Sequence, residues 1–220
     1  MNTPLFRLFN LKITAKEREA FAKVGERNLL TSIENEPGTL AMYTSHVDPA
    51  GLDNRVIEIY RDTASYDQHA HSPQFAAFRE VAKRAVTRQE VSQLTPRLLL
   101  EKPTPLRGDA SQFSQLTELT IPVDRAAAYQ TLVTASIRPA MAAEVGLLVA
   151  LVGQAVDDPT RWVIFEVFQD LAAFKAHCQT PAFQIYQTES RLLITTADAT
   201  VLTGDTLVNQ GGLTVINKIQ

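Results

Sequence analysis

The amino-acid sequence superimposes on itself. Glu36, Gly38, Glu58, Asp62, His69, Pro73 and Phe75 recur as Glu144, Gly146, Glu166, Asp170, His177, Pro181 and Phe183, each pair separated by the same 108 positions. The register holds without a gap outside this segment, with Leu8 on Leu116, Leu11 on Leu119, Ile13 on Ile121, Ala20 on Ala128 and Leu94 on Leu202. Two long copies are not a solenoid, which stacks several repeats of about 20–50 residues. They predict a duplicated domain, and 220 residues hold either one large domain or two small ones at about 100–200 residues each. The Pro/Gly/charge segment from Lys102 to Asp109 reads as a linker, so repeat one is expected at 1–105 and repeat two at 106–220.

Each copy is read once and checked against the other. Leu5 to Ile13 and Phe113 to Ile121 read as first strands. Lys16 to Ile33 places Ala20, Phe21, Val24, Leu29, Leu30 and Ile33 near helical spacing, and Tyr129, Leu132, Val133, Ile137 and Met141 repeat the stripe. Pro139 is expected to end or kink the second of these helices about a turn early, because proline lacks the donor and crowds the preceding turn. Residues 36–43 and 145–152 read as second strands, and the β-branched and aromatic runs 55–60 and 161–168 as third strands. Asp62 and Asp170 fall where an N-cap accepts orphan backbone N–H groups, and Ser72-Pro73 and Thr180-Pro181 add a second cap with proline at the first helical position. A short helix is therefore followed by a longer one from Pro73 to about Arg88, then by a last strand at 97–100, with 206–208 as its weaker counterpart.

The order β-α-β-β-α-β is the ferredoxin-like arrangement, so the fold class is α+β: two ferredoxin-like repeats whose open sheet faces are buried by packing sheet to sheet. The second copy carries an extra segment, 211–220, whose Leu213 to Ile216 reads as a strand suited to extending or closing an edge.

Composition removes several function classes. Twenty-one basic against 24 acidic residues give −3 with no basic stripe, which speaks against nucleic acid as a partner. The longest apolar run, Val145 to Val152, falls far short of the roughly 20 residues of a membrane span. A single cysteine, Cys178, forms no intrachain disulfide, and Arg7 and Lys12 interrupt what would be a signal core; a cytoplasmic protein is expected. No dinucleotide fingerprint, P-loop, H-x-x-x-H or C-x-x-C spacing occurs, so no metal and no cofactor is expected.

The segment Glu58-Ile59-Tyr60-Arg61-Asp62, followed by Tyr66-Asp67-Gln68-His69 and Ser72-Pro73-Gln74-Phe75, has a counterpart in Glu166-Val167-Phe168-Gln169-Asp170, Phe174-Lys175-Ala176-His177 and Thr180-Pro181-Ala182-Phe183. Both resemble the signature of antibiotic biosynthesis monooxygenase (ABM) domains, and Glu36-x-Gly38-x-Leu40 and Glu144-x-Gly146-x-Leu148 resemble that family's entry to its second strand. The resemblance covers nearly the whole chain. It implies a dimeric α+β barrel formed within one chain, and cofactor-independent oxygenation of a quinol or polyketide-like phenol by molecular oxygen.

Such chemistry needs a pocket for a flat acidic phenol, a base, and shelter from water. Histidine titrates near neutrality, so His69 and His177 are the expected proton acceptors, with Asn10, Tyr60, Phe75, Phe168 and Phe183 as substrate contacts. The same histidines equally suit a structural role at the helix junction. Asp62 and Asp170 are explained as caps, and Trp162 as a local packing residue. Glu58 and Glu166 either pair with a basic residue across the sheet or reach the pocket. His46 and His71, opposite Gln154 and Gln179 in the repeat, are expected at the surface, and Cys178, adjacent to His177, does not face it.

The copies diverge at Asn10 against Glu118, Tyr60 against Phe168 and Tyr66 against Phe174, which predicts one working pocket, in the first repeat. Competing functions are an isomerase or other proton-shuttling enzyme on a small carbonyl compound, and a small-molecule-binding or stress-associated module without turnover. Haem degradation is disfavoured: related haem-degrading domains place a histidine shortly after the position of Phe75, where this chain reads Ala76-Ala77-Phe78 and Gln184-Ile185-Tyr186. A monomer, or a homodimer of it, fits these readings.

Overall fold

The computed structural model describes residues 3–219. In chain order the elements are β1 (Leu5–Ile13), a 3-10 turn, α1 (Arg18–Asn35), β2 (Thr39–His46), β3 (Asp53–Tyr60), α2 (Thr63–Ala70), α3 (Pro73–Ala85) and β4 (Val86–Glu101). After a short β5 (Arg107–Gly108) the pattern repeats as β6 (Phe113–Thr120), a 3-10 turn, α4 (Ala126–Ala143), β7 (Leu147–Ala155), β8 (Arg161–Phe168), α5 (Leu171–Cys178), α6 (Pro181–Ser190) and β9 (Thr196–Asn209). A last strand, β10 (Thr214–Ile216), closes the list. The fold is α+β, with the ferredoxin-like β-α-β-β-α-β order present twice. Among the described residues no helix is long and apolar enough to cross a membrane.

The helix starts follow from the capping residues. Asp62 Oδ1 accepts from Ser65 N at 2.8 Å and Asp170 Oδ1 from Ala173 N at 2.8 Å. Ser72 Oγ accepts from Phe75 N at 3.2 Å and Thr180 Oγ1 from Phe183 N at 3.3 Å, each ahead of proline at the start of the helix. Gly38 is required by close approach: a Cβ there would lie 2.1 Å from Ser65 Oγ in the first turn of α2, and one on Gly146 would lie 2.5 Å from Ala173 Cβ.

Three expectations need correction. Helix α4 runs through Pro139 to Ala143. The carbonyl that loses its donor belongs to Ala135, and Ala135 and Pro139 both face solvent, where water replaces the missing bond. Helix α3 ends at Ala85 rather than near Arg88, because Arg88 to Leu94 pair with β1 from Lys12↔Arg88 to Phe6↔Leu94. Cross-strand bonding overrides the helix preference of that polar run, and the two fourth strands, β4 and β9, are accordingly far longer than their apolar cores at 97–100 and 206–208. The linker contributes β5, paired to β9 as Arg107↔Val208.

The chain forms two compact units. One consists of the residues up to Leu94, Pro105–Ala110 and Leu202–Gly211; the other of Thr95–Thr104, Ser111–Val201 and the segment from Gly212 on. In the first unit the antiparallel strands run β4-β1-β3-β2-β9, with Arg7↔Glu58 and Leu11↔Asn54 opposed across β1 and β3 and Tyr43↔Leu207 across β2 and β9. Helices α1 and α3 pack together over the face bearing Phe9, Leu11 and Val56. In the second unit the strands run β9-β6-β8-β7-β4-β10, and β10 lies against β4 from Thr214↔Leu100 to Ile216↔Leu98. Here Tyr129, Val133, Trp162 and Phe168 fill the core under α4 and α6, with Tyr186 packed against them.

Candidate active site

In the first unit a cavity of about 460 Å³ lies between the sheet and helices α1 and α3. Its floor follows from strand alternation: every second residue of β1 (Arg7, Phe9, Leu11) and of β3 (Asn54, Val56, Glu58) points to this face. Phe21, Gly25, Asn28 and Leu29 of α1, and Phe75 and Phe78 of α3, supply the opposite wall. The volume lies in the range of about 300–1,000 Å³ that suits a small ligand.

Glu58 is the more deeply buried of the two acids lining this cavity, its side chain 12 % exposed against 18 % for Asp205, and lies 4.0 Å from Arg7 Nη2. Both alternatives left open by the sequence hold, since Glu58 pairs across the sheet and also lines the cavity. Burial raises its pKa above the ordinary value of 4.5; Arg7, His69 and the Tyr60 hydroxyl pull it down by less. The Arg7 guanidinium lies 4.6 Å from the Phe9 ring centre and 4.4 Å from that of Tyr66, within reach of a cation–π attraction to both.

Behind the cavity, His69 is 0 % exposed. Its Nδ1 lies 3.0 Å from Glu36 Oε2 and 3.2 Å from Ser32 Oγ. Glu36 Oε2 also accepts from Thr39 Oγ1 at 2.6 Å, and Oε1 from Gln74 Nε2 at 2.6 Å. Burial pushes the Glu36 carboxyl up, but the bonds from His69 and Thr39 outweigh it and hold the group below its ordinary value. The cluster ties the end of α1, the start of β2 and helices α2 and α3 together.

The second unit repeats this pair, with His177 Nδ1 2.8 Å from Glu144 Oε2, beside a shallow depression that His177 borders with Ala173 and Thr180. The large cavity has no counterpart in the repeat register. Trp162 stands where the first repeat has Asn54, Tyr129 where it has Phe21, Val133 where it has Gly25 and Tyr186 where it has Phe78. Trp162 packs edge-on against Tyr129, ring centres 5.3 Å apart, and the Tyr129 hydroxyl meets that of Tyr186 at 2.9 Å. Burial pushes the Tyr186 phenol up to about 12. Glu166 persists opposite Gln115, raised by burial, with His177 as the charge that lowers it.

The expected aromatic neighbours do meet their histidines: Tyr60 and Phe75 lie 5.5 and 4.7 Å from His69, and Phe168 and Phe183 lie 5.3 and 4.9 Å from His177. Of these, Phe75 also lines the cavity. Asn10 does not join them, since the alternation that brings Arg7, Phe9 and Leu11 to the cavity turns Asn10 to the other face of β1. His71 is exposed at the end of α2. His46 is not a free surface residue: its Nδ1 lies 3.1 Å from Asp205 Oδ2, and Arg18 Nη2 donates to Asp205 Oδ1 at 2.5 Å. Arg18 and Asp205 border both the cavity and the surface cleft beside it.

Sequence reading missed Arg7 and Asn28. Arg7 alternates with Phe9 and Leu11 on β1, and Asn28 follows Phe21 and Gly25 at helical spacing; each is a polar residue on an otherwise apolar face.

The first unit is thus a ferredoxin-like α+β repeat with an aromatic-walled cavity into which Glu58 and Asp205 bring carboxyl groups. The antibiotic biosynthesis monooxygenase profile matches residues 4–81 and again 112–189, and the chain belongs to that family. Its structure is similar to that of a candidate monooxygenase from Lactobacillus acidophilus NCFM, at 27% identity with a TM-score of 0.91 over 97% of this chain and 100% of that one. A candidate monooxygenase from Fusobacterium nucleatum shares the fold at 16% identity, TM-score 0.89, over 98% of each chain. An anthrone oxidase-like protein shares it more distantly, at 8% identity and TM-score 0.56 over 94% of each chain. The sequence matches none of the curated proteins.

Proposed function

We propose that the chain is a cofactor-independent monooxygenase that oxidises a quinol or polyketide-like phenol in the cavity of the first unit, with Glu58 as proton acceptor. The observation that carries this reading is a carboxyl of raised pKa lining an aromatic-walled cavity between sheet and helices. A raised pKa makes a carboxylate a stronger base toward a weakly acidic phenol, and shelter from water preserves the electron-rich anion until oxygen reaches it. Oxidation of an anthrone-type methylene to a carbonyl balances with one O2: one oxygen atom enters the product, the other leaves in water, and the four electrons come from the substrate. His69 stands behind the cavity as a positioning residue, holding Glu36 and biasing Glu58 by its charge.

The test is oxygen uptake by metal-free protein with quinols and anthrone-type phenols, comparing the wild type with Glu58→Gln and Glu166→Gln. Removing a general base costs about 10²–10⁴-fold, so uptake should collapse in Glu58→Gln and persist in Glu166→Gln. Uptake no faster than the autoxidation blank overturns the proposal; exchange of substrate protons without uptake would replace it with an isomerase.

A further inference from the structure

We infer that Arg7 and Asn28 set the specificity of this cavity, Arg7 holding an acidic oxygen of the ligand and Asn28 a second hydrogen-bonding oxygen, so that a ligand whose hydroxyls are methylated is rejected. This rests on the cavity being the substrate site. Asn28 is 3 % exposed on the inner face of α1, lines the cavity, and its Oδ1 meets no hydrogen-bond partner among the described residues. Arg7 lines the same cavity, and its Nε likewise has no partner there. Buried polar atoms are nearly always paired; of the six unpaired side-chain atoms among the described residues, those of Arg7 and Asn28 are the two on side chains that line this cavity. They are the groups a ligand, or the water it displaces, would answer.

The geometry of Arg7 adds to this. Its guanidinium carbon lies 4.6 and 4.4 Å from the Phe9 and Tyr66 ring centres, and 4.0 Å to Glu58 is longer than a direct hydrogen bond, so donors of the guanidinium remain for a ligand. An acidic oxygen near the unpartnered Arg7 Nε is held as Glu58 takes its proton. A side-chain amide carries both a donor and an acceptor, so Asn28 suits a hydroxyl or a carbonyl. The second repeat supplies the contrast: Gln115 and Ser136 replace Arg7 and Asn28, Gln115 Nε2 donates to Thr117 Oγ1 at 3.3 Å, and bulky side chains occupy the space.

The experiment measures binding rather than turnover. A dihydroxyanthraquinone and its dimethyl ether are titrated against the full chain by equilibrium dialysis under argon, across the pH range in which the phenol ionises. The wild type should prefer the hydroxylated probe by at least about tenfold, a modest demand on a site built to bond a hydroxyl, which can reject its absence by about 10⁴–10⁵. Asn28→Leu, close in size, should shrink that preference. Arg7→Met should abolish the tightening that accompanies ionisation, and Arg7→Lys should restore part of it. Thermal melts establish folding, and Asn28→Leu keeps the inference testable if Arg7→Met does not fold. Equal binding of the two probes by the wild type, failure to bind either, or unchanged preference in the folded variants overturns the inference. Oxygen uptake on the same proteins separates it from the monooxygenase reading: uptake with unaltered preference removes only the recognition, whereas residue-dependent preference without uptake removes only the oxygenase.

Discussion

Asn54 and Trp162 hold the same position in the two repeats, each opposite the matching leucine of the first strand, Leu11 and Leu119. Asn54 turns its amide to the Gly51 carbonyl at 3.1 Å and borders an open cavity, whereas the Trp162 indole packs on Tyr129 in a closed core. This replacement, with Tyr129, Val133 and Tyr186 in place of Phe21, Gly25 and Phe78, fills in the second unit the space that the first leaves as a cavity.

Installing another second-repeat residue should close the first cavity. A Cβ on Gly25 would meet nothing nearer than Phe78 Cε2 at 3.9 Å, so Gly25→Val adds methyl groups to the cavity without a backbone clash. We expect probe binding to fall more than about tenfold while stability stays within about 0.5 kcal/mol, since valine replaces the poorer helix former. Dialysis and thermal melts check this; undiminished binding would place the ligand elsewhere.

The pH profile of kcat/KM reports the free enzyme's base. Glu58 works only when ionised, and burial holds its pKa above 4.5, so activity should fall on the acid side with a midpoint above that value. Arg7 pulls the Glu58 pKa down, so in Arg7→Met the limb should move to higher pH. A limb at the ordinary carboxylate value, insensitive to Arg7, would count against Glu58.

The histidine and glutamate pairs predict stability effects. His69→Ala leaves Glu36 buried without its cation-capable partner and should cost about 3–5 kcal/mol in urea unfolding; His177→Ala should cost less, because the Glu144 side chain is 22% exposed. The folded Glu36 pKa is lowered, so its contribution is present above about 4.5 and lost as pH falls through the lower folded value. His69→Ala should flatten that acid limb.

Glu166 acts in the opposite sense. Its folded pKa is raised by burial, so its ionisation weakens the fold as pH rises from 4.5 through the raised value. Glu166→Gln should therefore stabilise the protein by about 1 kcal/mol at neutral pH and match the wild type below 4.5. Parallel melts across pH decide it; a destabilised variant at neutral pH would show that the charge is stabilised by its surroundings.

The sequence offset predicted the repeated element order because capping is local chemistry: Asp62, Ser72 and their counterparts mark their helices from within four residues. Strand length is not local. The polar run after Ala85 is a strand because β1 pairs with it, and the hydration of the Ala135 carbonyl that permits Pro139 depends on which face of α4 meets solvent. The Glu36 and His69 positions stood out by recurrence, but recurrence marks what both repeats need, which is the junction. The cavity depends on what they do not share, and Trp162 read as simple packing until its space proved continuous with those of Tyr129 and Val133.

The first unit takes its last strand from residues 202–211, and with it Asp205 at the cavity rim. A ribosome that has finished the first repeat has therefore not finished the site: the edge of β2 waits unpaired while the chain up to Asn209 is made, on the order of ten seconds at about 5–20 residues per second. Deleting the second repeat would strip the first unit of that strand, so the two halves are inherited together although, among the described residues, the cavity between sheet and helices is found only in the first.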